Sequence, residues 1–286
     1  MSPLVVVGTP IGNLGDLSPR AVEALRAADV IACEDTRRVR QLLSASGVAA
    51  GNRLVAVNDH NEAAAVGGVL ERLDGGATVA VVSDAGMPGL SDPGERLVAA
   101  ASAAGHTVQV VPGPSAAIAA LVVSGLPARR FSFEGFLPRK GRARSERLAE
   151  IAGDRRTTVV FEAPQRVRKT VADLSGACGP LRRVAIAREL TKVHESVWRG
   201  TLAGAVEHLS ETAPRGEYVV VVDAAPPPAR AAPSEVESAL RAAMASGTDK
   251  RTAVASVAAQ LDVPKREVYE AAIRLGQPAS PPTLDW

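Results

Sequence analysis

The feature that most restricts this chain is an ordered alternation of short apolar runs, polar loops and helix signals. Residues 4–8 (LVVVG) form a β-branched run, and a Gly/Pro/Asn loop follows. Ser18-Pro19 then opens a helix, Ser being a good N-cap and Pro favoured in the first turn. Further strands are predicted at 29–33, 53–57, 78–83 and 107–111, each ending in a polar loop. This alternation predicts α/β architecture around a parallel sheet, with ligands near the carboxyl ends of the strands. A second α/β series is expected beyond Ser115, which is read as the cap of the small-residue helix AAIAALVVSG. Its strands fall at 157–161, 183–188 and 218–223, with a weaker one at 198–200. Only four Phe, two Tyr and two Trp occur in 286 residues. The core must therefore be aliphatic, which suits helices packed closely on buried strands.

Composition breaks at AAPPPARAAP, a Pro/Ala linker without core-forming pattern. The expected division is an N-terminal α/β domain at 1–112, a second α/β domain at 113–223, the linker at 224–233 and a helical unit at 234–286. In that last unit Ser234 and Glu237 read as a capping box, 248–251 starts a second helix and Pro264 a third. The outline is helix-turn-helix-like.

The charge balance, 33 Lys+Arg against 31 Asp+Glu, excludes nucleic-acid binding by bulk charge while leaving room for a local basic patch. Cys33 and Cys178 stand far apart with no C-x-x-C pair, so neither a zinc motif nor a disulfide framework is expected. The N-terminal run is too short and lacks the basic start of a signal peptide, and no apolar stretch approaches a membrane span. A soluble, cytoplasmic protein without membrane association is expected.

The first loop invites a dinucleotide reading, but its glycines, Gly8, Gly12 and Gly15, are spaced G-x-x-x-G-x-x-G. That spacing does not make the tight turn that sets a helix N-terminus on a pyrophosphate. A structural βα loop is the better account. The loops after the next strands form a stronger set: 34–37 (EDTR), 58–62 (NDHNE), 83–94 (SDAGMPGLSDPG) and 112–115 (PGPS). One charged loop is usually a solvated turn, whereas four in succession at strand ends point to a site.

GTPIGNLGDLSPRA, CEDTRR, NDHNE, SDAGMPGLSDPG, VPGPSA, FEGFLPRKGRAR, FEAPQRV and ARELTKVHE occur in this order. Together they closely resemble the ribosomal RNA small subunit methyltransferase I family. That family lies within the tetrapyrrole-methylase-like, class III group of S-adenosylmethionine (SAM) methyltransferases. The resemblance runs from about residue 4 to 223 and extends to the C-terminal helices. It implies two α/β domains with SAM in the cleft between them, 2′-O-methylation of a cytidine in 16S rRNA, and a homodimer. No metal is implied. By resemblance, SAM would lie against Asp84, Ala85, Gly86 and Met87, against Pro112, Gly113, Ser115 and Ala116, and against Phe161, Glu162, Arg188, Glu189 and Leu190. A sulfonium nucleoside carries no phosphate, so phosphate-binding glycine spacing is unnecessary in the first loop.

Methyl transfer to a ribose hydroxyl requires alignment above all, and a base within reach of the hydroxyl proton. Glu34, Asp35, Asp59, His60 and Glu62 are the candidates. Glu34, Asp35, His60 and Glu62 are preferred as an acceptor-side cluster, His60 alone having an ordinary pKa near neutrality. His106, His194 and His208 lack such surroundings, although His194 sits within ARELTKVHE. Between positions 129 and 144, six basic residues and one acid accompany Phe131, Phe133 and Phe136. This composition suits single-stranded RNA. Arg139, Lys140, Arg142 and Arg144 are assigned to phosphate, together with Arg37, and Phe131 and Phe133 mainly to packing.

Two other readings remain at this point. One is C-methylation of a tetrapyrrole precursor on the same fold, whose enzymes usually carry a G-x-G-P-G-D type first loop that GTPIGNLGD departs from. The other is a non-enzymatic nucleic-acid-binding regulator acting through 234–286, although six Lys/Arg against seven Asp/Glu make that unit slightly acidic.

Overall fold

A computed structural model describes residues 3–57, 62–211, 213–227 and 231–275 and contains two compact units, Met1–Ala225 and Pro226–Trp286. In the first unit, β1 (Leu4–Val7), β2 (Val30–Cys33), β3 (Leu54–Ala56), β4 (Val79–Val82) and β5 (Val108–Val111) form a parallel sheet in the order β3-β2-β4-β1-β5. β1 and β4 are buried along their whole length, as expected of strands covered on both faces. α1 (Pro19–Ala27) and α2 (Thr36–Ala45) pack Leu25, Val39 and Leu43 on one face. α3 (Glu62–Asp74) and α4 (Glu95–Ala103) pack Val69, Leu97 and Ala101 on the other. The Ser18 hydroxyl accepts from the Ala21 amide at 3.1 Å, with Pro19 at the first helical position, so the predicted start of α1 is realised.

β1 and β4 are neighbours, yet the helices that follow them lie on opposite faces of the sheet. Their outgoing loops therefore diverge and leave a crevice at the carboxyl edge, where α/β folds bind ligands.

The second sheet comprises β6 (Phe131–Phe136), β7 (Thr157–Glu162), β8 (Arg183–Arg188), β9 (Ser196–Thr201) and β10 (Tyr218–Val222), in the order β6-β7-β10-β8-β9. Here β6 and β7 are parallel, while β10 runs antiparallel to β7 and β8, and β8 to β9. A purely parallel continuation does not hold, because β8 reaches β9 through a seven-residue turn too short for a parallel crossover. Side chains alternate along β7, β8 and β10. Val159, Ala185, Val219 and Val221 face α5 (Ala116–Ser124), whereas Val160, Ile186, Val220 and Val222 face α6 (Arg142–Gly153), α7 (Pro164–Cys178) and α8 (Leu202–Glu211). Ala117 and Ala120 let α5 lie close on its sheet, which is where the aliphatic, aromatic-poor composition is used.

In the second unit α9 (Pro233–Ala245), α10 (Lys250–Gln260) and α11 (Lys265–Leu275) enclose Val236, Leu240, Val257 and Val268. The expected Ser234/Glu237 capping box is not formed. Pro233 occupies the first helical position, so the helix begins earlier, and Glu235 accepts from the Ala232 amide at 2.8 Å. Asp249 caps α10 by accepting from the Arg251 and Thr252 amides. Among the described residues no helix is long and apolar enough to cross a membrane.

Candidate active site

The first loop is stitched to the loop after β4. Thr9 and Gly86 exchange backbone hydrogen bonds at 2.9 and 3.2 Å, and the buried Thr9 hydroxyl donates to the Ser83 and Gly86 carbonyls. Gly86 has φ +83, open to glycine and strained for other residues. A Cβ on Gly8 would stand 2.6 Å from the Gly113 Cα, so the ends of β1 and β5 also close on each other. The glycines of this loop thus serve close approach between loops.

Two recesses open at this edge. The first, about 280 Å³, is largely apolar. Ala85, Gly86 and Met87 line it from the β4 loop, Ser115 and Ala116 from the start of α5, and Phe161, Glu162 and Leu190 from the second sheet. Eight of the thirteen expected SAM residues are therefore brought together. Asp84 lines the adjoining recess instead. Gly113 packs beneath Gly8, and the Arg188 guanidinium donates to the Arg215 carbonyl at 2.8 Å. Ala187, Glu217 and Tyr218 also line the cavity without having been singled out in the sequence, and so does Phe136, which the sequence places only in the basic, aromatic segment.

Phe136 arrives there through a bulge. The β6–β7 register shifts between Phe133 and Gly135, whose φ is +56 and whose Cβ position would fall 2.7 Å from the Ser91 hydroxyl. The extra residue changes the phase of the strand, so Phe133 and Phe136 both meet the Phe161 ring edge-on, at 4.9 and 5.8 Å. Phe131 and Phe133 are partly buried in the α5 cluster, whereas Phe136 is 53% exposed at the cavity.

Glu162 is buried on the cavity wall and fully engaged. Its carboxylate accepts from Thr170 Oγ1 at 2.5 Å and from the Ala163 amide at 2.9 Å, and faces Arg166 at 3.3 Å. Thr170 in turn accepts from Arg144 at 3.0 Å. The Arg144 side chain is only 6% exposed and also bonds the Pro138 carbonyl and Asp173, each at 2.8 Å. Burial works against an ionised Asp173, but Lys169 and Arg144 outweigh it and hold its pKa below the usual range. The assignment of Arg144 to RNA phosphate is therefore corrected: its donors are spent inside the protein. Arg139 and Lys140 are exposed, and Arg142, also exposed, pairs with Glu146.

The second recess, about 420 Å³, lies between the first loop and α2 and is mixed in character, with Arg38, Gln41, Asp84, Lys192 and Glu217 on its walls beside Ile11, Leu14, Val39 and Leu42. Asp35 caps α2 by accepting from the Arg37 amide at 2.8 Å and is chelated by the Arg37 guanidinium. Those bonds hold its pKa at about 2. Arg37 is itself exposed. Glu34 lies immediately before this cap. Asp59 and His60 lie outside the described residues, as does the side chain of Glu62.

The turn after β8 closes the site. Glu189 and Thr191 have φ +51 and +67, left-handed values that cost of order 1–3 kcal/mol each for such residues. Glu189 is secured there by Lys192 and by the Glu217 amide, both at 2.9 Å. The Lys192 stem lies over Gly12, where a Cβ would come within 2.4 Å of its Cγ, so this turn and the first loop touch. Among the described residues no cluster of three or more His, Cys, Asp or Glu side chains is arranged to hold a metal ion.

This architecture has known counterparts. Residues 3–206 match the model of the family described as Tetrapyrrole (Corrin/Porphyrin) Methylases. A ribosomal RNA small subunit methyltransferase I from Synechocystis is 43% identical over 277 residues, 96% of this chain and 99% of that one. Another of that name, from Mycobacterium tuberculosis, is 46% identical over 290 residues, 97% and 98% of the two chains. Among solved structures, a uroporphyrin-III C-methyltransferase from Thermus thermophilus complexed with S-adenosyl homocysteine superposes with TM-score 0.55 at 21% identity, covering 78% and 97%. The methyltransferase CobJ does so with TM-score 0.59 at 21% identity, covering 79% and 95%. The two-sheet fold with its shared crevice and the near-complete overlap with these relatives lead to one assignment: the chain belongs to the tetrapyrrole methylase family and, within it, to the ribosomal RNA small subunit methyltransferase I family.

Proposed function

We propose that this protein transfers a methyl group from SAM to the 2′-hydroxyl of a cytidine in 16S rRNA of the small ribosomal subunit, as a cytoplasmic homodimer. The observation that carries the reading is the 43–46% identity, over almost the whole chain, to proteins named ribosomal RNA small subunit methyltransferase I. The geometry supports it. The apolar cavity suits an adenosine and a methionine chain, with Phe161, Met87 and Leu190 as walls. Gly86 and Ala116 bring backbone close to a ligand there, and the Ser115 side chain makes no capping bond to α5, leaving its hydroxyl for a ligand. When bound, SAM supplies an electrophilic methyl on a sulfonium. The chain's own part is to align the acceptor and accept its proton, and both call on the polar side chains of the recess beside the cavity. Dimerisation would cover Val110, Ile118 and Val122, apolar side chains left exposed on β5 and α5.

Transfer of labelled methyl from SAM to undermodified small subunits, followed by mapping of the product, tests the reaction. A labelled ribose of one cytidine is expected; label on a base, or on a tetrapyrrole precursor alone, would overturn it. RNA engagement has its own test. Replacing Arg139, Lys140 and Arg142 together by Ala should weaken binding and reduce the salt slope by up to about 2, at roughly 0.7 per phosphate contact. An unchanged slope would remove this loop from the interface.

A further inference from the structure

We infer that the recess between the first loop and α2 receives the acceptor nucleotide, and that Asp84 is the carboxylate that takes the ribose hydroxyl proton. This rests on the methyl-transfer reading above and gives it a chemical address.

The chain passes from one chamber to the other at a single peptide. Asp84 lines the recess beside α2, Gly86 lines the apolar cavity, and Ala85 lines both. Ile11 and Glu217 are also shared walls, so the two chambers adjoin. An acceptor held in one and a donor in the other would meet beside Asp84, which is what an in-line transfer needs. The recess volume of about 420 Å³ falls within the range of small-molecule sites and admits a single nucleotide swung out of its strand.

Asp84 is oriented without being exhausted. Oδ1 accepts from the Asp35 amide at 3.1 Å, and Oδ2 faces Arg38 at 3.4 Å. Each carboxylate oxygen has a second lone pair, so both can still accept a hydroxyl. Two neighbouring carboxylates are held more tightly. Asp35 is held by Arg37 at a pKa of about 2, which makes it a weak base, and Glu217 bonds Lys192 at 2.9 Å. Gln41, at the rim on α2, carries both an amide donor and a carbonyl acceptor and so can read a base edge.

The step balances. The hydroxyl O–H bond breaks and its proton passes to Asp84. The oxygen–methyl bond forms as the methyl–sulfur bond breaks, so the sulfonium leaves as a neutral thioether. The Asp84 carboxylic acid then returns its proton to water.

Asp84→Asn in the full-length protein separates this role from cofactor binding. Expected are a single-turnover rate on undermodified small subunits lowered roughly 10²–10⁴-fold, and a SAM dissociation constant within about threefold of wild type. A rate within tenfold of wild type overturns the proposal, and so does a SAM affinity that falls in step with the rate. Gln41→Trp, on the exposed side of α2, fills the recess without touching the carboxylate. It should raise KM for subunits at least fivefold with SAM affinity unchanged, and an unchanged KM overturns the recess as the acceptor subsite. Wild-type protein failing to methylate subunits would instead sink the broader reading, before any variant is compared.

Discussion

Arg144→Ala should lower stability by about 2–3 kcal/mol, the cost of losing charge-assisted hydrogen bonds to a part-buried Asp173 and of leaving the Pro138 carbonyl without its donor. At roughly 2–4 °C per kcal/mol for a domain of this size, the melting temperature should fall by about 4–12 °C. The cause is local and specific. With the guanidinium gone, Asp173 keeps only Lys169, the Pro138 carbonyl loses its donor, and Thr170 no longer has a fixed donor behind it as it bonds Glu162. Arg144→Lys should recover little, because one ammonium cannot reproduce a planar fork that reaches three partners. Arg144→Met combined with Asp173→Leu should recover more, since no charge is then stranded. Lys140→Ala, four positions earlier on an exposed loop, should stay within about 0.5 kcal/mol of wild type. Thermal unfolding of the four variants decides the matter. If Arg144→Ala were as stable as Lys140→Ala, Arg144 would return to the RNA-contacting set.

That contrast shows what a linear sequence can and cannot disclose. Arg139, Lys140, Arg142 and Arg144 look equivalent in FLPRKGRAR. Only the packing of α6 on α7 turns the last of them inward to Thr170 and Asp173. The first sheet was legible because each strand is a short apolar run and each connection carries a helix signal. The second was legible in four of its five strands, β6 not being among them, and not in their directions, since the antiparallel β8–β9 pair depends on left-handed Glu189 and Thr191, which no periodicity announces. The cavity-lining loops could be recognised by their order along the chain. Their division between two chambers could not, because Asp84 and Gly86 stand two letters apart and face different chambers only once Thr9 has pinned Gly86. Phe136 was likewise hidden by a bulge that shifts the strand by one residue.

Gly113→Ala should damage the molecule by a different route, overcrowding. Its Cβ would lie 2.8 Å from the Cα and carbonyl carbon of Gly8 and 2.9 Å from the carbonyl oxygen. These are backbone atoms at the end of a strand bonded on both sides, with the Gly8 amide itself donating to the Val111 carbonyl at 3.0 Å, so neither chain can give way cheaply. Overpacking of this kind costs about 1–3 kcal/mol or more. The strain has one exit, displacement of the segment leading to Ser115 and Ala116 on the cavity wall. The variant should therefore lose SAM affinity by at least tenfold as well as stability. Gly176→Ala makes the same chemical change in α7, where an added Cβ meets nothing within 4 Å. There it should raise stability by about 0.5–1 kcal/mol through the ordinary helix preference, with SAM affinity unaltered. Calorimetric titration with SAM alongside thermal unfolding separates the two effects. A Gly113→Ala protein that melts lower but binds SAM normally would show that the β1–β5 junction supports the fold without shaping the cavity; one that matches wild type in both would mean that the two strand ends are not as close as 2.8 Å implies.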